Sequence, residues 1–183
     1  MDQKNVQLKP YNAFQTEAFA KLFCTPTNIQ ELKECLERHS DKEKLIIGGG
    51  CNIFFTKDFD GVVIKPELKG LREISDEDDD DVFIEVMASE DWDEFVQHCV
   101  SKGFSGLENL SLIPGTVGAS PIQNIGAYGV EVKDSIREVV ALDIETGEAV
   151  SFSNNECEFA YRDSIFKRSG KYIIVSVVFH LSK

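Results

Sequence analysis

The sequence predicts an α+β fold built as two lobes. Short apolar segments of strand length outnumber segments with helical periodicity, and the two kinds do not alternate regularly along the chain. A doubly wound parallel sheet needs that alternation, so the pattern favours α+β. The acidic run at 75–81 separates two groups of such segments, and a run of like charges favours a solvated loop. We therefore expect lobes at 1–68 and 69–183, joined around residues 65–81.

The first lobe contains one clear helix signal. Thr27 is expected to cap this helix, with Gln30 reaching back in a capping box. The apolar residues that follow recur at helical spacing and should form its buried face: Ile29, Leu32, Cys35 and Leu36. Short strands are expected at 45–47, 53–55 and 61–64, with a turn at 57–60.

The second lobe is expected to begin with an alternating strand at 82–87. Ser89 is expected to cap a helix from residue 90 to residue 102, and Gly103 fits the position just after its end. One apolar stripe follows this helix: Trp92, Phe95, Val96, Cys99 and Val100. Trp92 is open to two interpretations, a core position or stacking on a cofactor, and the core is favoured. Further strands are expected at 136–143, 149–152 and 172–181.

The bulk composition excludes several functional classes. The 183 residues are 42% hydrophobic, which is typical of a globular protein. The net charge of −13 argues against nucleic-acid and anionic-membrane partners, since both need clustered Lys and Arg. No apolar run approaches the length of a membrane span, and the N-terminal residues lack the apolar core of a secretory signal. We expect a cytoplasmic monomer.

The five cysteines show no metal or disulfide pattern. Their number is odd, their spacing is scattered and no C-x-x-C occurs, so neither a zinc site nor a disulfide framework is expected. For the acidic run at 75–81, a divalent-metal site is the alternative to a solvated loop, but the spacing of the carboxylates in the run does not match a known calcium loop. His98 is interpreted as a surface residue, and His39 and His180 as structural or solvent-facing. We therefore expect no metal.

Two glycine-rich segments are the strongest candidates for a ligand site. Residues 107–129 are too rich in Gly and Pro for a regular element and too apolar for a solvated linker. Residues 45–52 run from a short strand into three consecutive glycines, without the spacing of a Rossmann or Walker A loop. Both segments can cradle an anion with backbone N–H groups, and two cradles suit an elongated ligand with a central diphosphate. Purely structural turns are the alternative.

A third candidate is the segment 160–167, in which Arg162 has aromatic and apolar neighbours. Such an arginine can bind an anion or stabilise developing negative charge. The alternative is a structural ion pair with Asp163 or another carboxylate. The sequence suggests no Ser-His-Asp or Cys-His arrangement, so hydrolysis is not expected.

Together, these segments resemble the UDP-N-acetylenolpyruvoylglucosamine reductase family, also called UDP-N-acetylmuramate dehydrogenases. The matching segments span almost the whole chain in the right order: residues 48–52, 106–110, 113–115, 120–131 and 161–167. The resemblance implies a FAD-binding domain of the vanillyl-alcohol-oxidase (PCMH) type, made of two α+β subdomains. It also implies non-covalent FAD, NADPH as hydride donor, and a UDP-sugar substrate whose enolpyruvyl ether is reduced to a lactyl ether for peptidoglycan synthesis.

The resemblance also assigns roles to residues of this chain. Arg162 matches the family's catalytic arginine, which polarises the substrate carboxylate, and Tyr161 would contact the substrate beside it. FAD would be bound by residues of the two glycine-rich segments: Gly48, Gly49, Gly50, Cys51, Asn52, Ile113, Pro114, Gly115, Gly118, Ala119, Ser120, Ile122, Asn124, Ile125, Gly126, Tyr128 and Gly129.

The chain departs from the family pattern in three respects. Cys51 stands where the family usually has Ser, and Ala13 stands within what is usually an Asn-Thr-Phe entry. Family chains also continue well beyond the position of Lys183, into a substrate-binding domain with a Ser proton donor and a catalytic Glu. We therefore expect an N-terminal fragment that binds FAD without turnover. A stand-alone flavin-binding or nucleotide-binding module and another flavin oxidase of the same superfamily are the alternatives.

Overall fold

A computed structural model describes residues 2–74 and 80–183. The chain forms two compact units, Met1–Leu68 and Lys69–Lys183. Most of the acidic run expected at 75–81 lies outside the described residues, so the structure does not bear on either interpretation of it. In the described part of the chain, no helix has the length and apolar character needed to cross a membrane.

The first unit is a four-stranded mixed sheet with one helix. Its elements are β1 (Gln3–Gln7), β2 (Phe19–Cys24), α1 (Ile29–Arg38), β3 (Lys44–Ile46) and β4 (Phe59–Ile64). The strand order is β1-β2-β4-β3, with β1 antiparallel to β2 and with β4 parallel to both of its neighbours. Its core contains Leu8, Ala20, Phe23, Ile47 and Val63, all fully or almost fully buried.

Helix α1 begins one residue later than the sequence predicts. Its N-cap is Asn28, whose side chain accepts a hydrogen bond from the N–H of Glu31 at 2.9 Å. Thr27 instead donates its N–H to the Glu31 carboxylate at 2.8 Å. The Thr27 prediction was therefore wrong, because Asn is at least as strong a cap as Thr and stands next to it. Ile29 is 40% exposed and does not belong to the buried face.

Strand prediction in the first unit was incomplete. Residues 53–55 are not a strand, whereas Phe59 and Asp60, expected in a turn, belong to β4. Strands β1 and β2 were not predicted from the sequence. Strand β1 is mostly exposed at the edge of the sheet and polar, so its sequence carries no burial pattern.

In the residues that the structure describes, the second unit is a five-stranded antiparallel sheet with two α-helices and a separate two-stranded hairpin. Its elements are β5 (Leu71–Ile74), β6 (Asp81–Met87), α2 (Trp92–Ser101), β7 (Gly126–Ala127), β8 (Val130–Glu131), β9 (Ile136–Asp143), β10 (Ala149–Ser153), α3 (Ile165–Ser169) and β11 (Tyr172–Ser182). The order of the large sheet is β10-β9-β11-β6-β5, and β7 and β8 pair separately. The prediction of an α+β fold is confirmed, although β5 and the short helix α3 were missed.

Helix α2 has well-defined ends. Its N-cap is Asp91, not the predicted Ser89, and the Asp91 side chain accepts from the N–H of Glu94 at 3.0 Å. Gly103, with φ of +80°, follows the last helical turn as predicted. Its N–H donates to Val100 at 3.0 Å, and the next N–H donates to Cys99 at 2.9 Å, which closes the helix end. Val100 itself is 52% exposed, so it is not part of the buried stripe.

Trp92 lies in the core of the second unit. It is 1% exposed, and its ring centroid lies 6.1 Å from that of Phe95 and 6.0 Å from that of Phe179. The indole Nε1–H donates to the carbonyl of Leu110 at 2.8 Å. This bond satisfies the polar edge of the ring and connects α2 to the start of the glycine-rich segment. The core interpretation of Trp92 is confirmed.

Candidate functional site

The first glycine loop, residues 48–52, directly follows β3 and Ile47. Gly48 and Gly49 are exposed, whereas Gly50 is buried with φ of +71°. A Cβ atom on Gly50 would lie 2.0 Å from the carbonyl oxygen of Tyr11, so only glycine fits there. The carbonyl of Gly50 accepts from the N–H of Ala13 at 3.1 Å. The loop is therefore held against the segment 11–13.

Asn12 shapes that segment from within. It is 4% exposed; its Nδ2 donates to the carbonyls of Leu8 at 2.8 Å and Thr16 at 3.2 Å, and its Oδ1 accepts from the N–H of Thr16. The turn leaves Phe14 61% exposed, in edge-to-face contact with Phe54 at 5.3 Å between centroids. This aromatic pair was not predicted from the sequence, because Phe54 was assigned to a strand.

The first glycine loop offers backbone donors. Among the hydrogen bonds of the described residues, none has the N–H of Gly48, Gly49 or Gly50 as its donor. Cys51 is half-buried, with its Sγ 3.7 Å from the carbonyl of Gly49, and Asn52 at the end of the loop is exposed. Consecutive N–H groups that donate to no described residue are suited to binding an anion.

The second glycine loop, residues 113–129, starts from a fixed point on α2. The Asp93 carboxylate accepts from the N–H of Leu112 at 2.6 Å and from the hydroxyl of Ser111 at 2.8 Å. These bonds, the N–H of Leu112 first, lower the pKa of Asp93, because they favour its charged form. Leu112 has φ of +62° and is 82% exposed, a strained conformation for leucine that the anchor holds in place.

The beginning of the second loop packs against the end of β6. The N–H of Val117 donates to Glu90 at 2.9 Å, the N–H of Gly118 donates to Ala88 at 2.8 Å, and Gly115 accepts from Trp92 at 3.1 Å. A Cβ atom on Gly118 would lie 2.5 Å from that of Ala88, so Gly118 permits this close packing. The N–H groups of Gly115 and Thr116 donate no hydrogen bond to any described residue. Both groups can therefore donate to a ligand.

The predicted cofactor residues of the second loop thus divide by role. The N–H groups of Gly118, Ala119 and Ser120 donate hydrogen bonds to carbonyls of the same unit. The hydroxyl of the buried Ser120 donates to the carbonyl of Val117 at 2.8 Å. Gly115, with φ of +141° and no atom within 4 Å of a Cβ position, has an open face. Ile113 and Ile122 are partly buried against the core, Pro114 is exposed, and Ile125 is 6% exposed.

The loop ends in a tight hairpin between β7 and β8. Tyr128 and Gly129 form its two-residue turn with φ of +51° and +82°, the combination of a type I′ turn. Tyr128 is 92% exposed at the tip. Gly126 is required, because a Cβ there would lie 2.8 Å from the carbonyl oxygen of Val130.

Tyr161 and Arg162 lie at the tip of a second tight turn. Ala160 and Asp163 exchange backbone hydrogen bonds at 3.0 and 3.2 Å across it. Arg162 has φ of +53°, and Tyr161 is 85% exposed. Left-handed backbone at a non-glycine residue persists only where the surroundings enforce it, and such positions concentrate at functional sites.

Three hydrogen bonds enforce this turn and fasten it to the second glycine loop. Asn124 Nδ2 donates to the carbonyl of Ala160 at 3.0 Å, and the Ser164 hydroxyl donates to that of Ile122 at 2.6 Å. The Arg162 guanidinium donates to the carbonyl of Gly126 at 2.9 Å. The structure therefore brings Arg162 to the glycine loop, a contact that the sequence pattern alone does not reveal.

Arg162 does not form the ion pair that was its structural alternative. Asp163 pairs instead with Arg168 at 2.5 Å, which lowers the pKa of Asp163, and Arg168 also pairs with Glu158 at 2.5 Å. Arg162 has no ion pair with any residue of 2–74 or 80–183. Its exposed guanidinium keeps donors for an anionic ligand beyond the one that meets Gly126.

Comparison with known proteins gives a consistent family signal. The family model for the FAD binding domain matches residues 20–153. The chain is similar to UDP-N-acetylenolpyruvoylglucosamine reductases from Flavobacterium johnsoniae (49% identity), Pseudomonas fluorescens (50%) and Neisseria gonorrhoeae (51%). These matches cover 99%, 99% and 95% of this chain but only 54%, 54% and 51% of the relatives. The chain therefore spans about half the length of the curated relatives it matches.

Solved structures agree on the fold. The UDP-N-acetylenolpyruvylglucosamine reductase of Thermus caldophilus superimposes with a TM-score of 0.78 at 24% identity, over 99% of this chain and 63% of that one. A solvent-stable cholesterol oxidase gives a TM-score of 0.66 at 12% identity, over 90% of this chain and 35% of that one. The expected FAD-binding fold of the vanillyl-alcohol-oxidase (PCMH) type is confirmed.

Proposed function

Because the chain belongs to the FAD binding domain family and is similar to UDP-N-acetylenolpyruvoylglucosamine reductases over about half of their length, we propose that it is the flavin-binding part of such a reductase. The proposed reaction reduces the enolpyruvyl ether of a UDP-sugar at the expense of NADPH, for peptidoglycan precursor synthesis. The observation that carries the proposal is the attachment of the Arg162 turn to the second glycine loop by three hydrogen bonds.

The residues present fit FAD on the evidence of their backbone donors. In the first loop, Gly48 and Gly49 are exposed and their N–H groups have no acceptor among the described residues. In the second loop, the N–H groups of Gly115 and Thr116 also have no acceptor among the described residues. Such donors are suited to the diphosphate and the polar edges of a flavin. Because they are backbone groups, they can bind an anion without a nearby cation, even in a chain whose net charge is −13.

We assign substrate contacts to Tyr161 and Arg162. The guanidinium is planar and permanently charged, so it can hold a carboxylate with two parallel hydrogen bonds. In the proposed reaction it stabilises the negative charge that develops on the enolpyruvyl carboxylate side of the substrate. The Gly126 carbonyl orients the guanidinium, and the Tyr161 ring, 85% exposed beside it, offers an apolar surface.

FAD, when bound, supplies the hydride chemistry, which no side chain can perform. The carbon next to the carboxylate must also receive a proton, and that step needs a general acid. We place this acid in sequence that the relatives possess beyond the matched half. The 183 residues by themselves are therefore expected to bind FAD without oxidising NADPH in a substrate-dependent way. A stand-alone flavin-binding or nucleotide-binding module is the alternative.

The deciding experiment is a titration of the purified chain with FAD and FMN, followed by flavin fluorescence. Selective binding of FAD supports the proposal, since only FAD carries the diphosphate. The variant Gly49→Glu places a negative charge among the loop's N–H groups and should weaken FAD binding at least tenfold, an effect of about 1.4 kcal/mol. The matched control Gln30→Glu adds the same charge to an exposed position at the start of α1 and should leave binding unchanged.

Four results would each contradict a part of the proposal. If a folded chain bound FAD and FMN equally, or if Gly49→Glu bound FAD like Gln30→Glu, the first loop would not hold the diphosphate. Substrate-dependent NADPH oxidation by the 183 residues would show that the general acid lies within them. If an Arg162→Lys variant of the full-length enzyme bound FAD and turned over its substrate as well as the wild type, Arg162 would not have the role assigned to it.

A further inference from the structure

The first unit contains a buried cluster of metal-ligating side chains that the proposed function does not use. The ligand atoms of Cys24, Cys35 and His39 lie within 4.8 Å of one another. The three residues are 4%, 4% and 5% exposed. Neither cysteine forms a disulfide. The cluster is separate in sequence from both glycine loops.

The fold assembles this cluster from the end of a strand and the end of the helix that follows it. Cys24 is the last residue of β2, whereas Cys35 and His39 belong to the last turns of α1 and its C-cap. Residues four apart on a helix share a face, so the Cys35 thiol and the His39 imidazole both face the end of β2. No metal was expected from the sequence, because the spacing of the cysteines resembles no zinc motif. A cluster formed across a strand and a helix leaves no such motif in the sequence.

His39 provides the second observation. Its Nε2 lies 2.9 Å from Oδ2 of Asp2, but its Nδ1 is buried without a hydrogen-bond partner among the described residues. A buried polar nitrogen without a partner is unfavourable, and it calls for an explanation such as an ion. A ring that binds a metal through Nδ1 and meets a carboxylate through Nε2 has both nitrogens satisfied. Carboxylate–histidine–metal arrangements of this kind are the rule at zinc sites.

We propose that Cys24 Sγ, Cys35 Sγ and a ring nitrogen of His39 bind a zinc ion in the first unit, with Nδ1 assigned as the ligand because it is the nitrogen without another partner. Two thiolates and one imidazole are a ligand set that zinc prefers. Asp2 would act as a positioning residue, since its Oδ2 lies 2.9 Å from His39 Nε2; the Cys24 S–H that donates to its Oδ1 at 3.4 Å is lost when the thiolate binds zinc. A water molecule or a small shift of Asp2 completes four-coordination.

The charges around the cluster suit this ion. Two thiolates neutralise the double charge of zinc, and the Asp2 carboxylate is neutralised by Arg38, whose Nη1 donates to its Oδ1 at 2.7 Å. The occupied site is therefore neutral overall, as a buried site should be. A zinc ion here ties the end of β2 to the end of α1, so its role is structural.

Titration of the untagged, reduced 183-residue chain with Co²⁺ tests the proposal. Co²⁺ replaces zinc and reports thiolate ligation through a charge-transfer band and tetrahedral geometry through its visible bands. We expect one equivalent to produce both signals, zinc to displace it, and the thermal midpoint to rise with metal. Cys24→Ser, Cys35→Ser and His39→Gln should each lose the tetrahedral spectrum. Asp2→Asn should bind about 10–100-fold more weakly, as loss of a ligand's partner does.

The control is Cys51→Ser, which removes a half-buried thiol outside the cluster and should keep the full spectrum. Circular dichroism identifies variants that fail to fold. If one of the two cysteine variants, Cys24→Ser or Cys35→Ser, does not fold, the spectrum of the other variant tests the site. A folded chain without a tetrahedral Co²⁺ spectrum would overturn the proposal. A spectrum that survived both Cys24→Ser and Cys35→Ser would overturn it equally. Neither result depends on whether the chain binds FAD.

Discussion

Asn124 and Ala160 are joined across 36 residues of sequence by a hydrogen bond of 3.0 Å from the Asn124 amide to the Ala160 carbonyl. The same side chain accepts from the N–H of Lys133 at 3.2 Å through Oδ1. Asn124 is fully buried and has φ of +46°, a conformation that Asn tolerates better than most residues. One side chain therefore orders both the second glycine loop and the turn that carries Arg162.

Replacing Asn124 by Ala should destabilise the chain by about 2–4 kcal/mol, because it removes both hydrogen bonds of a fully buried amide and strains the left-handed backbone. Urea unfolding followed by tryptophan fluorescence measures this free energy. The control Asn155→Ala alters an exposed asparagine and should change the free energy of unfolding by less than about 0.5 kcal/mol. Equal effects of the two variants would show that Asn124 does not order the loop.

Gly118→Ala should also destabilise the chain, since the added Cβ would lie 2.5 Å from that of Ala88 and 3.0 Å from its Cα. We expect a loss of about 1–3 kcal/mol from overpacking in this region. Adding Ala88→Gly removes one of the two methyl groups that collide, so the double variant should recover part of the loss. A double-mutant cycle with no coupling between the two positions would contradict this account.

Trp92→Phe should lower the free energy of unfolding by about 1–3 kcal/mol, because the Leu110 carbonyl loses a buried donor and the core loses volume. The bond in question is 2.8 Å long, and the side chain is 1% exposed. Chemical unfolding followed by circular dichroism is the measurement, since the variant lacks the chain's single tryptophan. Unchanged stability would mean that the hydrogen bond contributes nothing beyond what Phe supplies.

Asp93 makes the second loop sensitive to acid. Its pKa is lowered from 3.8 by the N–H of Leu112 and the Ser111 hydroxyl, so the folded state favours the charged form. A depressed carboxyl pKa contributes stability above the unfolded value, and that contribution is lost as the pH falls through the folded value. The thermal midpoint of the wild type should therefore exceed that of Asp93→Asn at neutral pH. The difference should shrink towards and below the ordinary pKa, and a constant difference would refute the assignment.

Much of the second unit was predictable because its elements carry their own pattern. Strand β6 alternates buried and half-buried residues along its whole length, and β9 was predicted with its observed limits. Gly103 ends α2 as its position suggested. By contrast, β1 is polar and exposed at an edge, and its existence depends on pairing with β2. A strand stabilised by its neighbour leaves little trace in its own sequence.

The sequence by itself determined the family, the two glycine-rich loops and the type of residue at each candidate position, because these reside in contiguous motifs. The tertiary structure alone decided which residues meet. It placed Arg162 on the Gly126 carbonyl rather than on Asp163. It also brought Cys24, Cys35 and His39 within 4.8 Å despite their scattered spacing. The physical reason is that side-chain hydrogen bonds and packing between elements bring residues of different segments together, and the pattern within one segment does not encode its partners.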